Sequence, residues 1–264
     1  MISRYEFLGA PYSTRFQDQS VVDRYYLRPT YPPETFALLN ALIVDEPRAV
    51  LDVGCGTGFL TRPMAPYAER VDAIDISEPM LQRARTLPGG DSPRIRWLVG
   101  SAEVADVQPP YALITAGDSL HWMDWGVVLP RFARMLTPRG MLAIATVEEQ
   151  ASPWHEGYIQ TVKRFSNNPT YRPVDLIAEL EQYHLFQKQG EQVTAPVPRQ
   201  QTIADYIAAQ HARSSLSLET MSAAQAAQFA RDMQALLAPY AQDGHLTMQI
   251  IGRVGWGRPL SSKG

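Results

Sequence analysis

Between residues 47 and 147 the chain switches repeatedly between two hydrophobic periods. Short apolar, β-branched runs at 49–53, 71–74, 95–99, 112–116 and 141–146 alternate with stretches at 60–67, 78–85 and 127–136 whose apolar positions have helical spacing. Unbroken apolar runs suit strands buried on both faces, and the helical stretches between them suit crossovers, so the block predicts βα units on a parallel sheet. Thr137-Pro138-Arg139-Gly140 is expected to close the last helix, the proline stopping it and the glycine allowing a tight turn into the next strand.

Residues 18–27 and 33–43 also read as helices, separated by Arg28-Pro29-Thr30-Tyr31-Pro32-Pro33, which favours extended backbone and a change of direction. Beyond residue 148 the alternation weakens as far as 200, with helical spacing at 154–165 and 174–183. Further helices are expected at 203–210 and in the Ala/Gln-rich stretch 222–237, whose Phe229 and Met233 share one face, and 247–254 alternates like a strand. The pattern contains no internal repeat. It predicts one α/β core interrupted late by a helical insertion, with the terminal strand returning to the sheet.

Charge and cysteine content narrow the function classes. Lys and Arg total 24 against 27 Asp and Glu, a formal net charge of −3, which supplies no field for a polyanion, so no nucleic-acid partner is expected. The single cysteine, Cys55, allows neither an internal disulfide nor a cysteine-rich zinc site, and the five histidines lack ligand spacing, so no metal is expected. The N-terminus has no apolar signal-peptide core, and no run approaches the roughly 18 to 20 apolar residues of a membrane span. A cytoplasmic protein without a membrane partner is expected.

The segment Val50-Leu51-Asp52-Val53-Gly54-Cys55-Gly56-Thr57-Gly58-Phe59 is the most informative. A buried strand runs into three glycines at alternating positions, a loop that lets backbone approach a ligand closely. The spacing is G-x-G-x-G, with Phe59 where the dinucleotide fingerprint has its third glycine, and no Lys followed by Ser or Thr comes after it to make a phosphate loop. Asp75 ends the second strand about 20 residues on, where a ribose would lie; the alternative is an N-cap, a task open to Ser77 as well. Glu103 and Ala102, after the third strand, are placed to meet an adenine amine and ring, unless Glu103 is an ordinary loop residue.

Taken together, Leu51-Asp52-Val53-Gly54-Cys55-Gly56-Thr57-Gly58, Asp75-Ile76-Ser77-Glu78-Pro79-Met80-Leu81, Ser101-Ala102-Glu103 and Leu136-Thr137-Pro138-Arg139-Gly140-Met141-Leu142 resemble the successive motifs of class I S-adenosylmethionine-dependent methyltransferases. Asp118-Ser119-Leu120-His121-Trp122-Met123-Asp124-Trp125 and Tyr25-Tyr26-Leu27-Arg28-Pro29 are similar to the subgroup that includes trans-aconitate methyltransferases. The resemblance implies a Rossmann-like, mostly parallel seven-stranded sheet with helices on both faces, a reversed last hairpin and a late helical cap. It implies S-adenosylmethionine as cofactor, with S-adenosylhomocysteine as product, held by Asp52, Gly54, Cys55, Gly56, Gly58, Asp75, Ile76, Ser101, Ala102, Glu103 and Asp118. The chain then divides into an N-terminal cover (1–46), a cofactor core (47–147), a cap with part of the sheet (148–240) and a terminal strand with its tail (241–264).

The remaining candidates face the acceptor. His121, past the fourth strand, is read as orienting the acceptor or taking its proton with a near-neutral pKa, or else as a core histidine. Tyr25 and Arg28 are placed to close over the sulfonium and the cofactor carboxylate, and the alternative is plain helix packing. Tyr12, Trp122, Trp154, Tyr171, Arg172 and Arg213 are the substrate candidates, since arginine forks suit carboxylates and aromatics suit planar groups; for Trp122, packing against the adenosine or the sheet edge comes ahead of substrate contact. The expected reaction is methyl transfer to a small organic acceptor, a carboxylate oxygen ahead of nitrogen or carbon. A cofactor-binding protein without turnover and a nicotinamide-dependent oxidoreductase are the competing readings.

Overall fold

A computed structural model describes residues 14–168, 172 and 174–261. Strands β1 (Ala49–Val53), β2 (Arg70–Asp75), β3 (Ile95–Val99), β4 (Tyr111–Gly117) and β5 (Leu136–Glu149) pair in parallel, and β8 (His245–Pro259) runs antiparallel to β5. The order is β3-β2-β1-β4-β5-β8-β6, with β6 (Phe186–Val193) and β7 (Val197–Thr202) both paired to β8. The order reverses between β1 and β4, and ligands bind in open α/β sheets beyond the carboxyl ends of strands at such a switch.

The sheet has eight strands, where seven are implied by resemblance. The extra one exists because β8 is 15 residues long and outruns β5: its first half pairs with β7, its second with β6. Neither β6 (FQKQGEQV) nor β7 (VPRQQT) shows in the apolar pattern, since each borders β8 along one side and is largely exposed. Residues 137–140 are also not a turn before a strand. Leu136 already pairs with Tyr111 and Met141 with Leu113, so they form an irregularity inside β5.

Among the described residues the α-helices are α1 (Gln19–Arg24), α2 (Pro33–Ala41), α3 (Thr61–Met64), α4 (Glu78–Thr86), α5 (Trp125–Met135), α6 (His155–Phe165), α7 (Leu176–Gln182), α8 (Ile203–Gln210) and α9 (Ala223–Leu237). One sheet face is covered by α5 and α7 through Trp125, Val128, Phe132 and Leu180, the other by α2 and α3 through Leu39, Leu60 and Met64. Helices α6, α8 and α9 pack a separate core on the extended half of β8, around Trp154, Tyr206, Phe229, Met233 and Met248. The cap is therefore rooted in the sheet. Among the described residues no helix is long and apolar enough to cross a membrane.

Candidate functional site

Asp52 sits in β1 opposite Thr115 of β4, fully buried at the switch point. Its two carboxylate oxygens accept the hydroxyls of Thr61 and Thr115, the latter at 2.9 Å. Burial dominates even so and raises its pKa to about 6, with the Asp75 charge adding to the rise.

The glycine loop follows directly, and its three glycines have different jobs. Gly54, Gly56 and Gly58 all have positive φ, of 65°, 54° and 79°. A Cβ on Gly54 would stand 2.5 Å from Cβ of Ser119, so the backbone there lies flush against the β4 loop. A Cβ on Gly58 would stand 2.6 Å from the Trp97 ring, and Gly58 borders neither hollow described below. Gly58 thus packs against Trp97.

Asp75 ties this loop to β2: Oδ2 accepts the Gly56 N–H at 2.7 Å and Oδ1 the Ser77 N–H at 2.8 Å. Ser77 does the capping of α4, its hydroxyl accepting the Met80 N–H at 3.3 Å. Burial raises the Asp75 pKa against these two bonds and that of the Ile76 N–H.

Two adjoining hollows open along this line. The larger, about 830 Å³, is bordered by Asp75 and Ile76 on one side, Ser101, Ala102 and Glu103 on another, and Trp122 with Met123 opposite. Glu103 Oε1 accepts the Asp124 N–H at 3.0 Å, which ties the β3 loop to the start of α5. The smaller, about 410 Å³, is bordered by Asp52, Cys55, Asp118, Arg28, Tyr25 and Tyr31. Gly54, Tyr25, Gly117 and Asp118 border both.

Asp118 is held at φ 48°, sterically costly backbone for a non-glycine residue. Burial raises its pKa, while Arg28, the Val147 N–H at 3.4 Å and the charge of Arg213 pull it back. The Arg28 guanidinium lies 5.1 Å from the centre of the Tyr25 ring, which stacks on Phe59 at 5.5 Å. Tyr25 and Arg28 both border the smaller hollow.

His121 lies in a 3-10 turn (Leu120–Trp122) with its ring 4.7 Å from that of Trp122. Burial, aided by the Arg28 charge, pushes its pKa down to about 4. The near-neutral titration expected for it is therefore corrected: the imidazole is uncharged at physiological pH, a weak base that can donate or accept a hydrogen bond.

The substrate candidates scatter. Trp122 borders the larger hollow, edge-on to Phe16 at 5.8 Å, which favours its packing role. Trp154 is buried in the cap core, with Nε1 donating to the Tyr206 hydroxyl at 3.4 Å, and borders neither hollow. Arg172 is exposed, and Tyr12 and Tyr171 lie outside the described residues. Among the described cap candidates, Arg213 lowers the carboxyls of both Asp118 and Glu149 by its charge. Sequence reasoning missed Phe16, Ser119 and Met123, which border the larger hollow. Met123 and Ser119 stand within the Asp118–Trp125 string, but nothing local marks Phe16, whose carbonyl meets the Ser77 hydroxyl from 61 residues away in the chain.

Residues 50–140 match a family described as a methyltransferase domain. An uncharacterized methyltransferase of Mycobacterium bovis is 37% identical over 114 residues, 42% of this chain and 56% of that protein. A trans-aconitate 2-methyltransferase of Methylobacterium radiotolerans is 34% identical over 122 residues, 45% of each chain. The chain spans about half the length of these curated relatives. A solved structure from Anaeromyxobacter dehalogenans, described as a type II methyltransferase, shares the fold with a TM-score of 0.61 at 20% identity, covering 88% of this chain and 97% of that one.

Proposed function

Residues 50–140 match a methyltransferase domain on a Rossmann-like α/β fold, and from that premise we propose that the protein transfers a methyl group from S-adenosylmethionine to a carboxylate oxygen of a small organic acceptor. Charge at the smaller hollow carries the reading. Two carboxyls, the buried Asp52 and the half-buried Asp118, and one guanidinium, Arg28, border it. When both carboxyls are ionised that set has net charge −1, the complement of a methionine moiety with one sulfonium, one ammonium and one carboxylate.

The larger hollow fits the rest of the group. Asp75 accepts N–H bonds from Gly56, Ser77 and Ile76, which leaves acceptor capacity on its carboxylate that would hold a ribose hydroxyl. Ala102, Met123 and Trp122 would flank adenine with apolar surface, and Ser101, Glu103 and Ile76 complete the wall. The atoms nearest to a Cβ at Gly56 would be those of the Tyr25 ring, at 3.6 Å, an ordinary packing distance.

When bound, S-adenosylmethionine supplies an electrophilic methyl carbon on its sulfonium. The chain's work is to align the acceptor in line with that carbon and to exclude water. Tyr25 and Tyr31 wall the smaller hollow from the N-terminal side, and Arg213 and Arg28 offer the positive charge that an acceptor carboxylate needs. An O–C bond forms as the C–S bond breaks, and a carboxylate yields an ester without losing a proton. That suits His121, which at a pKa of about 4 is a poor base; it borders neither hollow and supports the site through its ring contact with Trp122. The relative named for trans-aconitate supports an acidic acceptor.

Calorimetry with S-adenosylmethionine and S-adenosylhomocysteine tests the cofactor, and absence of binding at millimolar concentration refutes it. Transfer of a labelled methyl group to a panel of di- and tricarboxylates, with release of the label as methanol by base, tests the acceptor. Label appearing only on amines or carbon refutes the carboxylate.

A further inference from the structure

The larger hollow has a cover that does not belong to the core. Phe16 and Tyr25 border it, and Val21 and Val22 of α1 pack on Met80, which also borders it. The Phe16 carbonyl accepts the Ser77 hydroxyl at 2.8 Å, and its ring meets Tyr25 at 6.4 Å. Residues 16–25 thus lie over the ribose and adenine side of the site.

This cover is fastened to the cap. Glu219 accepts the Ser20 N–H at 3.0 Å on Oε1 and the Ser20 hydroxyl on Oε2. The Ser217 hydroxyl stands 2.7 Å from both Glu219 Oε2 and Asp18 Oδ2, so its proton serves one carboxylate at a time. The trailing end is held by the Leu27 carbonyl, which accepts from Arg199 at 2.7 Å and Gln201 at 3.1 Å. Glu219 is exposed, and contacts of that kind are individually weak. The clasp therefore opens more readily than the buried Val21–Met80 contact beneath it.

We infer that Glu219 is a positioning residue of the cofactor site, holding residues 16–25 over the larger hollow through Ser20. The inference rests on the cofactor reading above. Arg213 stands six residues before Glu219, in the same run of short turns.

The test is the dissociation rate of S-adenosylhomocysteine from the full chain, followed by stopped-flow tryptophan fluorescence, since Trp122 borders the hollow. Glu219→Ala, which removes both acceptors from Ser20, is expected to release the ligand about tenfold faster than wild type. Glu219→Gln keeps an acceptor for the Ser20 N–H and is expected to restore most of the retention. The unliganded unfolding midpoints of the three proteins are expected to stay close, a pattern that a merely structural role would not give. Release from Glu219→Ala at the wild-type rate overturns the inference.

A second variant keeps the test independent of folding losses. Ser20→Ala, which removes the hydroxyl donor but keeps the N–H, is expected to release the ligand faster than wild type and more slowly than Glu219→Ala. Wild-type release from both variants overturns the inference. Failure of wild type to bind S-adenosylhomocysteine overturns the cofactor reading itself, and the clasp with it.

Discussion

Asp75 and Gly56 are joined by a 2.7 Å hydrogen bond from the glycine N–H to the carboxylate, so the acid that ends β2 also sets the loop that follows β1. One residue thereby shapes the glycine loop and faces the space beside it. Asp75→Ala is expected to weaken S-adenosylhomocysteine binding by well over tenfold, through lost ribose contacts and a loosened loop. It leaves the Gly56 and Ser77 N–H groups without their acceptor, which is expected to cost about 1–3 kcal/mol of stability. Calorimetry and denaturant unfolding separate the two effects, and unchanged affinity refutes the ribose role.

Asp52 gives a pH signature. Its carboxyl is raised to about 6 by burial, so in the unliganded protein its ionisation costs stability as pH rises from about 4 through about 6, after which the cost is constant. Asp52→Asn is expected to gain on wild type across that window, by up to about 3 kcal/mol in the difference between their unfolding free energies. Affinity for S-adenosylmethionine is expected to move the other way, falling in the variant at pH 8 because a carboxylate no longer faces the cation. Parallel pH dependences for the two proteins would count against the assignment.

His121 is predicted not to titrate where catalysis is measured. With its pKa at about 4, kcat at saturating cofactor is expected to stay flat between pH 6 and 8. His121→Gln, which keeps a hydrogen-bonding group, is expected to retain more activity than His121→Ala. A limb near pH 6.5 that disappears in both variants would show an imidazole acting as base.

The glycines are predicted to differ from one another. Gly54→Ala puts a Cβ against Ser119 at 2.5 Å and is expected to lower the unfolding midpoint more than Gly56→Ala, whose Cβ would meet only Tyr25 at 3.6 Å. Both impose positive φ on alanine, a cost of about 1 kcal/mol or more. Equal midpoints for the two variants would refute the close approach at Gly54.

Much of the core was legible because its cues are local. Five parallel strands show as apolar runs, and Asp75 shows through its distance from the glycine loop. The cap was legible only in part. Helices α8 and α9 follow their apolar spacing, whereas β6 and β7 have little to bury and exist because β8 offers them a ladder. Trp154 reads as an exposed aromatic available to substrate, yet α6 turns it into the cap core.

By itself the amino-acid sequence determined the order of the βα units, the glycine loop and its partner acid Asp75, since strand burial, helix spacing and backbone freedom act over a few residues. Only the tertiary structure decided which glycine borders a hollow, that burial holds the His121 pKa down, and that Phe16 borders the larger hollow while Ser20 is tied to Glu219. Those outcomes depend on burial and on contacts between segments up to 199 residues apart. Desolvation and long-range packing are properties of a folded neighbourhood, which no short stretch of chain contains.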